Sequence, residues 1–156
     1  MRLWISGTGS ALPKKVVTND DLAKVIDTSD EWIFARTGIH QRHVADETET
    51  IEKLGAAAAE KALEMAGVSA EEIGLIVFGT CTDGNVTPSA ACQVQALIGA
   101  VNAVAFDINA ACSGFLYSLR TAEGLLKTGL AKKALVIGGD LVTRYIDWQD
   151  RTTCVL

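Results

Sequence analysis

Four cysteines are the side chains of this sequence best suited to covalent chemistry. They lie far apart in the chain, at Cys81, Cys92, Cys112 and Cys154, without the close CxxC pairs typical of a zinc site or a redox motif. In a reducing cytosol they would be free thiols, so each is either a buried apolar side chain or a reactive group. The residues around each cysteine indicate whether it is buried or reactive.

Cys112 has the setting expected of a nucleophile. It follows a predicted buried strand at residues 104–108 and stands at the start of a predicted helix. Backbone N–H groups and the positive end of the helix dipole stabilise a thiolate at such a position. The neighbouring residues are small, so a thioester could approach the sulfur and the Cys112 N–H could donate to a developing oxyanion. Position alone also fits a buried structural cysteine.

Trp32 and Arg36 form a second group with chemical potential. They are four residues apart and would share one face of a short helix. An aromatic plane beside a cation suits an adenine ring and its phosphates. From the residues alone, a surface helix with an arginine lying along it is the alternative.

The predicted elements alternate between strands and helices. Strands are expected at residues 73–78, 101–108 and 134–137, because these are short apolar runs. Alternation with short connections implies a mainly parallel sheet covered by helices, with sites at the carboxyl ends of the strands. Two further strands are expected at the ends of the chain, at residues 2–6 and 152–156.

The helices that connect these strands have recognisable starts and apolar stripes. The clearest spans residues 50–66, where Gly55 indicates close backbone packing and the stripe comprises Ile51, Leu54, Ala58, Ala62 and Met65. Another has Thr87 as its N-cap and runs to about residue 98. A third begins near Cys112 and is striped by Phe115, Leu119, Ala122 and Leu126. Short helices are expected after Thr18 and Ser29.

Composition narrows the class of protein. The chain has 156 residues, of which 49% are apolar, enough for one folded domain with its own core. The net charge of −5 is spread without a basic run, so nucleic acid is not an expected partner. No apolar run approaches the roughly 20 residues that span a bilayer, and no signal peptide is recognisable, so a cytoplasmic protein is expected.

Several segments resemble one known family. The residues DINAACSGF at 107–115 closely resemble the active-site segment of the β-ketoacyl-acyl carrier protein synthases III. Further segments resemble that family in the same order along the chain: GTGS at 7–10, LP at 12–13, TSDEWI at 28–33, RTGI at 36–39, PSAACQ at 88–93 and DRTT at 150–153. The resemblance therefore spans essentially the whole chain.

The resemblance implies an α/β fold of the thiolase type, with residues 1–156 forming the amino-terminal αβαβα half of a five-layered subunit that normally forms a homodimer. It implies that acyl-CoA acylates Cys112, and that a decarboxylative condensation with malonyl-acyl carrier protein follows. The family's catalytic His and Asn are expected beyond Leu156. Acyl-CoA is a substrate, so no cofactor and no metal are expected.

The resemblance also assigns binding residues. It places Thr28, Trp32, Arg36 and Arg151 at coenzyme A, with the adenine stacked between Trp32 and Arg151. Thr87 would line the acyl pocket from the dimer partner, and because it is small we expect primers longer than acetyl to be accepted. Two alternatives stay open: a polyketide or quinolone-type starter acyltransferase of the same fold, and a catalytically incomplete half that only associates with a partner.

Overall fold

The computed structural model describes residues 3–155. In chain order, its elements are β1 (Lys15–Thr18), α1 (Asn19–Leu22), α2 (Asp30–Thr37), β2 (Gln41–Val44), α3 (Ile51–Ala66), β3 (Leu75–Gly79), α4 (Ala90–Ile98), β4 (Val104–Ile108), α5 (Gly114–Lys127) and β5 (Ala134–Gly138). Short 3₁₀ turns lie at Ala70–Glu72, Ala111–Ser113 and Val142–Arg144. The chain divides into two compact units, formed by residues 3–11 with 51–140 and by residues 12–50 with 141–155.

The first unit is built on a parallel three-stranded sheet in the order β4-β3-β5. Every residue of the central strand β3 is buried. Leu75 and Val77 pack with Ala122 of α5, whereas Phe78 lies against Gly55 of α3. Because successive side chains of a strand point to opposite faces, α5 covers one face of the sheet and α3 the other. This arrangement confirms the predicted parallel sheet covered by helices.

Helix α3 has the predicted length but buries a different side. A Cβ on Gly55 would lie 2.7 Å from the Phe78 ring, so the glycine lets this side of the helix approach the sheet closely. From the predicted stripe, Ala58 and Ala62 instead lie against residues 7–9. The residues of α3 that are buried are Ile51, Gly55, Ala56, Ala59 and Leu63.

The strand predicted at residues 2–6 is wrong for residues 3–6, which belong to neither sheet, and Arg2 lies outside the described residues. Within residues 3–155, β5 pairs with β3 alone. A cavity of about 550 Å³ borders residues 3–9, β5, α3 and α5. A strand forms only where a neighbouring strand supplies hydrogen-bond partners, and none of the described strands pairs with residues 3–6.

Helix α4 begins later than predicted. Ser89, not Thr87, is its N-cap, and the Ser89 hydroxyl accepts from the Cys92 N–H at 3.3 Å. The carboxylate of Asp107 in β4 accepts from two further N–H groups of the first turn, each at 2.8 Å. These acceptors fix the start of the helix because they satisfy its free donors.

The second unit contains an antiparallel pair, β1 with β2, that the sequence analysis did not predict. Both short helices begin as predicted, α1 with a capping box at Thr18 and α2 with Ser29 as N-cap. The strand predicted at residues 152–156 is wrong for residues 152–155, where the Cys154 N–H donates to the Asp150 carbonyl at 3.0 Å in a turn. Cys154 is thereby buried in the core of this unit, and Leu156 lies outside the described residues.

Candidate functional site

Cys112 lies in a tight turn between β4 and α5, as predicted. The turn is closed by two hydrogen bonds, from the Ser113 N–H to the Ala110 carbonyl at 3.0 Å and from the Gly114 N–H to the Ala111 carbonyl. The Cys112 N–H takes part in neither of them, and Cys112 is exposed. Its position combines an accessible sulfur with a backbone donor at a helix start, as acyl transfer through a tetrahedral intermediate requires.

The residue before Cys112 is strained. Ala111 has a backbone φ of 45°, in the left-handed region. This conformation costs an L-residue about 1–2 kcal/mol. Strain of this kind clusters at functional sites, where the surrounding structure maintains it. Here it lets β4 pass into α5 within a few residues while Cys112 stays exposed.

Two glycines hold the start of α5 on the sheet. A Cβ on Gly79, the last residue of β3, would lie 2.5 Å from the Gly114 carbonyl carbon. A Cβ on Gly138, the last residue of β5, would lie 2.8 Å from the Phe115 Cβ. Glycine in a strand often marks such a close approach. The position of Cys112 is therefore set by direct contact between α5 and the strand ends.

Asp140 organises the segment that follows β3. Its Oδ1 accepts hydrogen bonds from the Thr80 hydroxyl at 3.0 Å, the Cys81 N–H at 2.8 Å and the Thr82 hydroxyl at 3.0 Å. In the sequence, Cys81 was recognised only as one of four cysteines, and Asp140 was not considered. Each follows a predicted strand by three residues, and that spacing places both at the carboxyl edge of the sheet, where Cys112 also lies.

In the second unit, the structure brings together three of the residues predicted to bind coenzyme A. The guanidinium carbon of Arg36 is 4.2 Å from the Trp32 ring centroid, and that of Arg151 is 5.0 Å away. A ring inserted between two stacking planes needs about 7 Å between them, so adenine would move Arg151 outward by about 2 Å. Arg151 also contacts the Asp27 carbonyl at 3.2 Å and forms an exposed ion pair with Asp27 at 3.7 Å, a weak kind of contact.

Thr28 precedes the N-cap of α2 in the same unit. Its hydroxyl oxygen is buried and has no hydrogen-bond partner within residues 3–155. A buried hydroxyl left unpaired costs about 1–3 kcal/mol. An external polar group that completed this hydrogen bond would therefore gain affinity, which fits the predicted role of Thr28 in binding coenzyme A.

Thr87 is exposed in the segment before α4. The cavity beside β5 is lined by neither Thr87 nor Cys112, so it is not the counterpart of the predicted acyl pocket. Cys112 and Thr87 belong to the first unit, whereas the predicted coenzyme A contacts belong to the second.

The two histidines have structural contacts. His40 Nδ1 lies 2.9 Å from an Asp30 carboxylate oxygen, and its ring stacks on Phe34 with centroids 4.1 Å apart. His43 Nδ1 lies 2.6 Å from the Pro13 carbonyl. Among residues 3–155, no group of three or more His, Cys, Asp or Glu side chains could hold a metal ion. No helix in that part of the chain is both long and apolar enough to cross a membrane.

Comparison with known proteins gives consistent results. A family model described as 3-oxoacyl-[acyl-carrier-protein (ACP)] synthase III matches residues 106–156. The chain is 55% identical over 156 residues to a β-ketoacyl-[acyl-carrier-protein] synthase III of Erythrobacter litoralis, covering 100% of the chain and 49% of that relative. It is also 55% identical over 152 residues to the protein of the same name from Xanthomonas euvesicatoria, covering 97% and 47%.

Solved structures agree with this similarity. The 3-oxoacyl-[acyl-carrier-protein] synthase III of Aquifex aeolicus superposes with a TM-score of 0.93 at 52% identity, covering 97% of this chain and 49% of that one. The priming β-ketosynthase of the R1128 polyketide pathway superposes with a TM-score of 0.94 at 37% identity, covering 100% of this chain and 48% of that one. The chain thus spans about half the length of the relatives that it matches.

Proposed function

Because the chain corresponds to the amino-terminal half of the β-ketoacyl-[acyl-carrier-protein] synthase III family and has its thiolase-like fold, we propose that it takes an acyl group from acyl-CoA onto Cys112. The observation that carries this proposal is the exposed Cys112 in a strained turn at the carboxyl edge of a parallel sheet. Cys112 is the only cysteine in the described residues that opens a helix directly after a strand. The transfer starts fatty acid synthesis.

The proposed first step is a thioester exchange. The Cys112 thiolate attacks the acyl carbonyl carbon, and the resulting oxyanion accepts a hydrogen bond from the Cys112 N–H. Collapse of this tetrahedral intermediate expels the coenzyme A thiolate and leaves an acyl-cysteine. The malonyl group on its carrier protein then loses carbon dioxide, its carbanion attacks the acyl-cysteine, and Cys112 leaves as thiolate with 3-oxoacyl-carrier protein as product.

Acyl loading is tested by intact-protein mass spectrometry after incubation with acetyl-CoA and with a longer acyl-CoA. We expect one acyl adduct on the wild type, none on Cys112→Ala, and an unchanged adduct on the matched control Cys92→Ala. The control is suitable because the Cys92 thiol is partly buried and lies 3.5 Å from the Ala105 carbonyl. An adduct that survives in Cys112→Ala would refute the proposed nucleophile. A chain that binds a partner polypeptide but never acquires an adduct would favour the alternative of an associating half.

The nucleotide end of coenzyme A is proposed to bind the second unit at Trp32, with Thr28, Arg36 and Arg151 as further contacts. The two cations beside the Trp32 ring and the unpaired Thr28 hydroxyl support this assignment. Calorimetry with adenosine 3′,5′-bisphosphate tests it without involving the cysteine. We expect Trp32→Ala to weaken binding by about 5- to 150-fold, since aromatic stacking of a base contributes about 1–3 kcal/mol.

Arg151→Ala should also weaken binding, whereas Arg120→Ala serves as the matched control. Arg120 is an exposed arginine on α5, paired with Glu123. Equal losses from Arg151→Ala and Arg120→Ala would mean that general positive charge is responsible, and not stacking at Trp32.

Acyl-chain length is proposed to be set partly at Thr87, with primers longer than acetyl accepted. Thr87 is small and exposed in the segment before α4, which supports the proposal that it lines the acyl pocket of a partner subunit. The Thr87→Phe variant should shift loading towards acetyl-CoA in a chain-length series. Val86→Phe adds the same ring one residue earlier, at a fully exposed position, and should leave the series unchanged. A wild type that strongly prefers acetyl-CoA would contradict this assignment.

The proposed partners are acyl-CoA, malonyl-acyl carrier protein and a second copy of the chain. Exposed apolar residues on α5 support dimer formation, since Phe115, Leu116 and Tyr117 are 47%, 62% and 57% exposed. Sedimentation should therefore give a dimer or larger assembly. A cytoplasmic location is part of the proposal, which the free thiols support, and so is the absence of a cofactor, since both acyl groups would arrive as thioester substrates.

A second candidate is priming of polyketide synthesis. The similarity to the R1128 priming β-ketosynthase favours it, with 37% identity over the whole chain. The two candidates share acyl loading and differ in the acceptor. Product formation with fatty acid and with polyketide carrier proteins, each charged with malonyl, would distinguish them.

A further inference from the structure

Cys81 and Cys112 lie at the same edge of the sheet. Strands β3 and β4 are paired in parallel up to Gly79 and Ile108, and the Thr80 N–H donates to the Ile108 carbonyl at 3.2 Å. Cys81 therefore follows the end of β3 by two residues, and Cys112 follows the end of β4 by four. The start of α5 rests directly on Gly79, which brings the Cys112 turn back over the end of β3.

Both thiols are accessible, and Cys112 affects Cys81. Cys81 and Cys112 are exposed, and the charge of Cys112 contributes to raising the pKa of the Cys81 thiol. The other two cysteines differ, since Cys154 is buried in the second unit and the partly buried Cys92 lies 3.5 Å from a backbone carbonyl. Only one pair of thiols within residues 3–155 therefore combines exposure with mutual proximity.

The two thiols are not equivalent. Desolvation raises the pKa of Cys81, and a hydrogen bond to the Asp140 carboxylate raises it further. Cys81 is thus held as a thiol beside the Asp140 carboxylate. Cys112 stands in the turn that leads into α5, where the first backbone N–H groups of a helix have no partner within the helix.

We propose that Cys81 and Cys112 form a peroxide-reactive dithiol site, in which Cys112 is oxidised first and Cys81 resolves it into an intramolecular disulfide. This inference rests on Cys112 being the reactive thiol of the proposed function. It adds a second reactant, a peroxide, and a role for Cys81.

The reaction balances in two steps. The Cys112 thiolate attacks one peroxide oxygen of hydrogen peroxide, the O–O bond breaks, and hydroxide leaves with Cys112 as sulfenic acid. That hydroxide takes up the proton that Cys112 lost on forming the thiolate and becomes water. The Cys81 sulfur then attacks the sulfenic sulfur, the S–O bond breaks, and the departing hydroxide takes the Cys81 proton. Two thiols and one peroxide thus give one disulfide and two waters.

Disulfide closure requires the two Cα atoms to lie within about 7 Å. Cys81 opens a largely exposed segment, residues 81–88, in which adjustment requires no movement of the core. The disulfide would block acyl loading and would protect Cys112 from irreversible oxidation to sulfinic acid. A dithiol reductant would restore the site.

The test is peptide mapping by mass spectrometry after treatment with hydrogen peroxide, with free thiols alkylated before digestion. We expect a Cys81–Cys112 crosslinked peptide, loss of two hydrogen masses from the intact chain, and full recovery of both thiols with dithiothreitol. In Cys81→Ser, Cys112 should gain two oxygen atoms and not be recovered. The matched control Cys92→Ser should form the crosslink as the wild type does.

Oxidation of Cys112 to sulfinic acid in the wild type, without a crosslink and at the rate seen in Cys81→Ser, would overturn the proposal. The wild-type crosslink decides the matter even if Cys81→Ser fails to fold. Acyl loading measured on the reduced chain, before peroxide is added, separates the two proposals: loading without a later crosslink refutes only the dithiol site, and a crosslink in a chain that does not load when reduced refutes only the acyl transfer.

Discussion

Replacing Gly79 with alanine tests whether contact between β3 and α5 holds Cys112 in place. The new Cβ would lie 2.5 Å from the Gly114 carbonyl carbon and 2.8 Å from the Phe115 nitrogen, both of them backbone atoms that no side-chain rotation can move. Ordinary van der Waals contact begins near 3.4 Å. The start of α5 must therefore withdraw by about 0.9 Å, and a misplacement of about 1 Å at a reacting group can lower a rate about a hundredfold.

The matched control is Gly114→Ala, on the opposite side of the same contact. Its Cβ would lie 3.4 Å from the Gly79 Cα, an ordinary contact, so α5 need not move. The assay is the rate of acyl loading onto Cys112, read by intact mass, with circular dichroism to confirm that each variant is folded. We expect a loss of about a hundredfold for Gly79→Ala and little change for Gly114→Ala. A folded Gly79→Ala variant that loads at the wild-type rate would refute the reasoning.

Three further predictions concern stability. Gly55→Ala should destabilise the first unit by about 1–3 kcal/mol, because the new Cβ overpacks against Phe78. Gly124→Ala, whose Cβ has open space around it, should stabilise the same unit by up to about 1 kcal/mol. Chemical denaturation measures both free energies of unfolding, and equal effects would contradict the overpacking at Phe78. Asp107→Ala removes two hydrogen-bond acceptors from the first turn of α4 and should lower the free energy of unfolding by about 3 kcal/mol. A negligible change in chemical denaturation would contradict this prediction. The melting temperature of the second unit should fall as the pH drops below about 4. Hydrogen bonds lower the pKa of four of its carboxyl groups, so each stabilises the fold above the ordinary pKa of 3.8 and loses that contribution when it is protonated; they are Asp21, Asp30, Asp46 and Asp150. A melting temperature that does not change with pH would contradict these hydrogen bonds.

The parts of the fold that could be predicted from sequence depend on local signals. Continuous apolar runs gave the three strands of the parallel sheet, and capping residues such as Thr18 and Ser29 gave the starts of α1 and α2. The turn at Cys112 was predictable because its strand, small residues and helix are consecutive in sequence. Here local chemistry and tertiary structure agree.

The parts that could not be predicted depend on distant partners. Whether residues 3–6 form a strand depends on a neighbouring backbone, and the apolar pattern alone contains no information about one. The start of α4 is fixed by Asp107, seventeen positions after Ala90, and not by the local Thr87–Pro88 signal. The buried side of α3 is decided by the fit between Gly55 and Phe78.

The candidate site shows the same division. Cys112 could be identified from its own surroundings, whereas Cys81 and Asp140 become relevant only when the sheet order and register place them at the same edge. The stacking of Arg151 near Trp32 connects residues more than a hundred positions apart. Family resemblance predicted that pairing, and helical periodicity alone could not.

Acyl transfer to Cys112 is tested by incubating the chain briefly with radiolabelled acyl-CoA and locating the label by peptide mapping. We expect the label on the peptide that contains Cys112 and on no other cysteine. Label on another cysteine, or no label although adenosine 3′,5′-bisphosphate binds at Trp32, would contradict it.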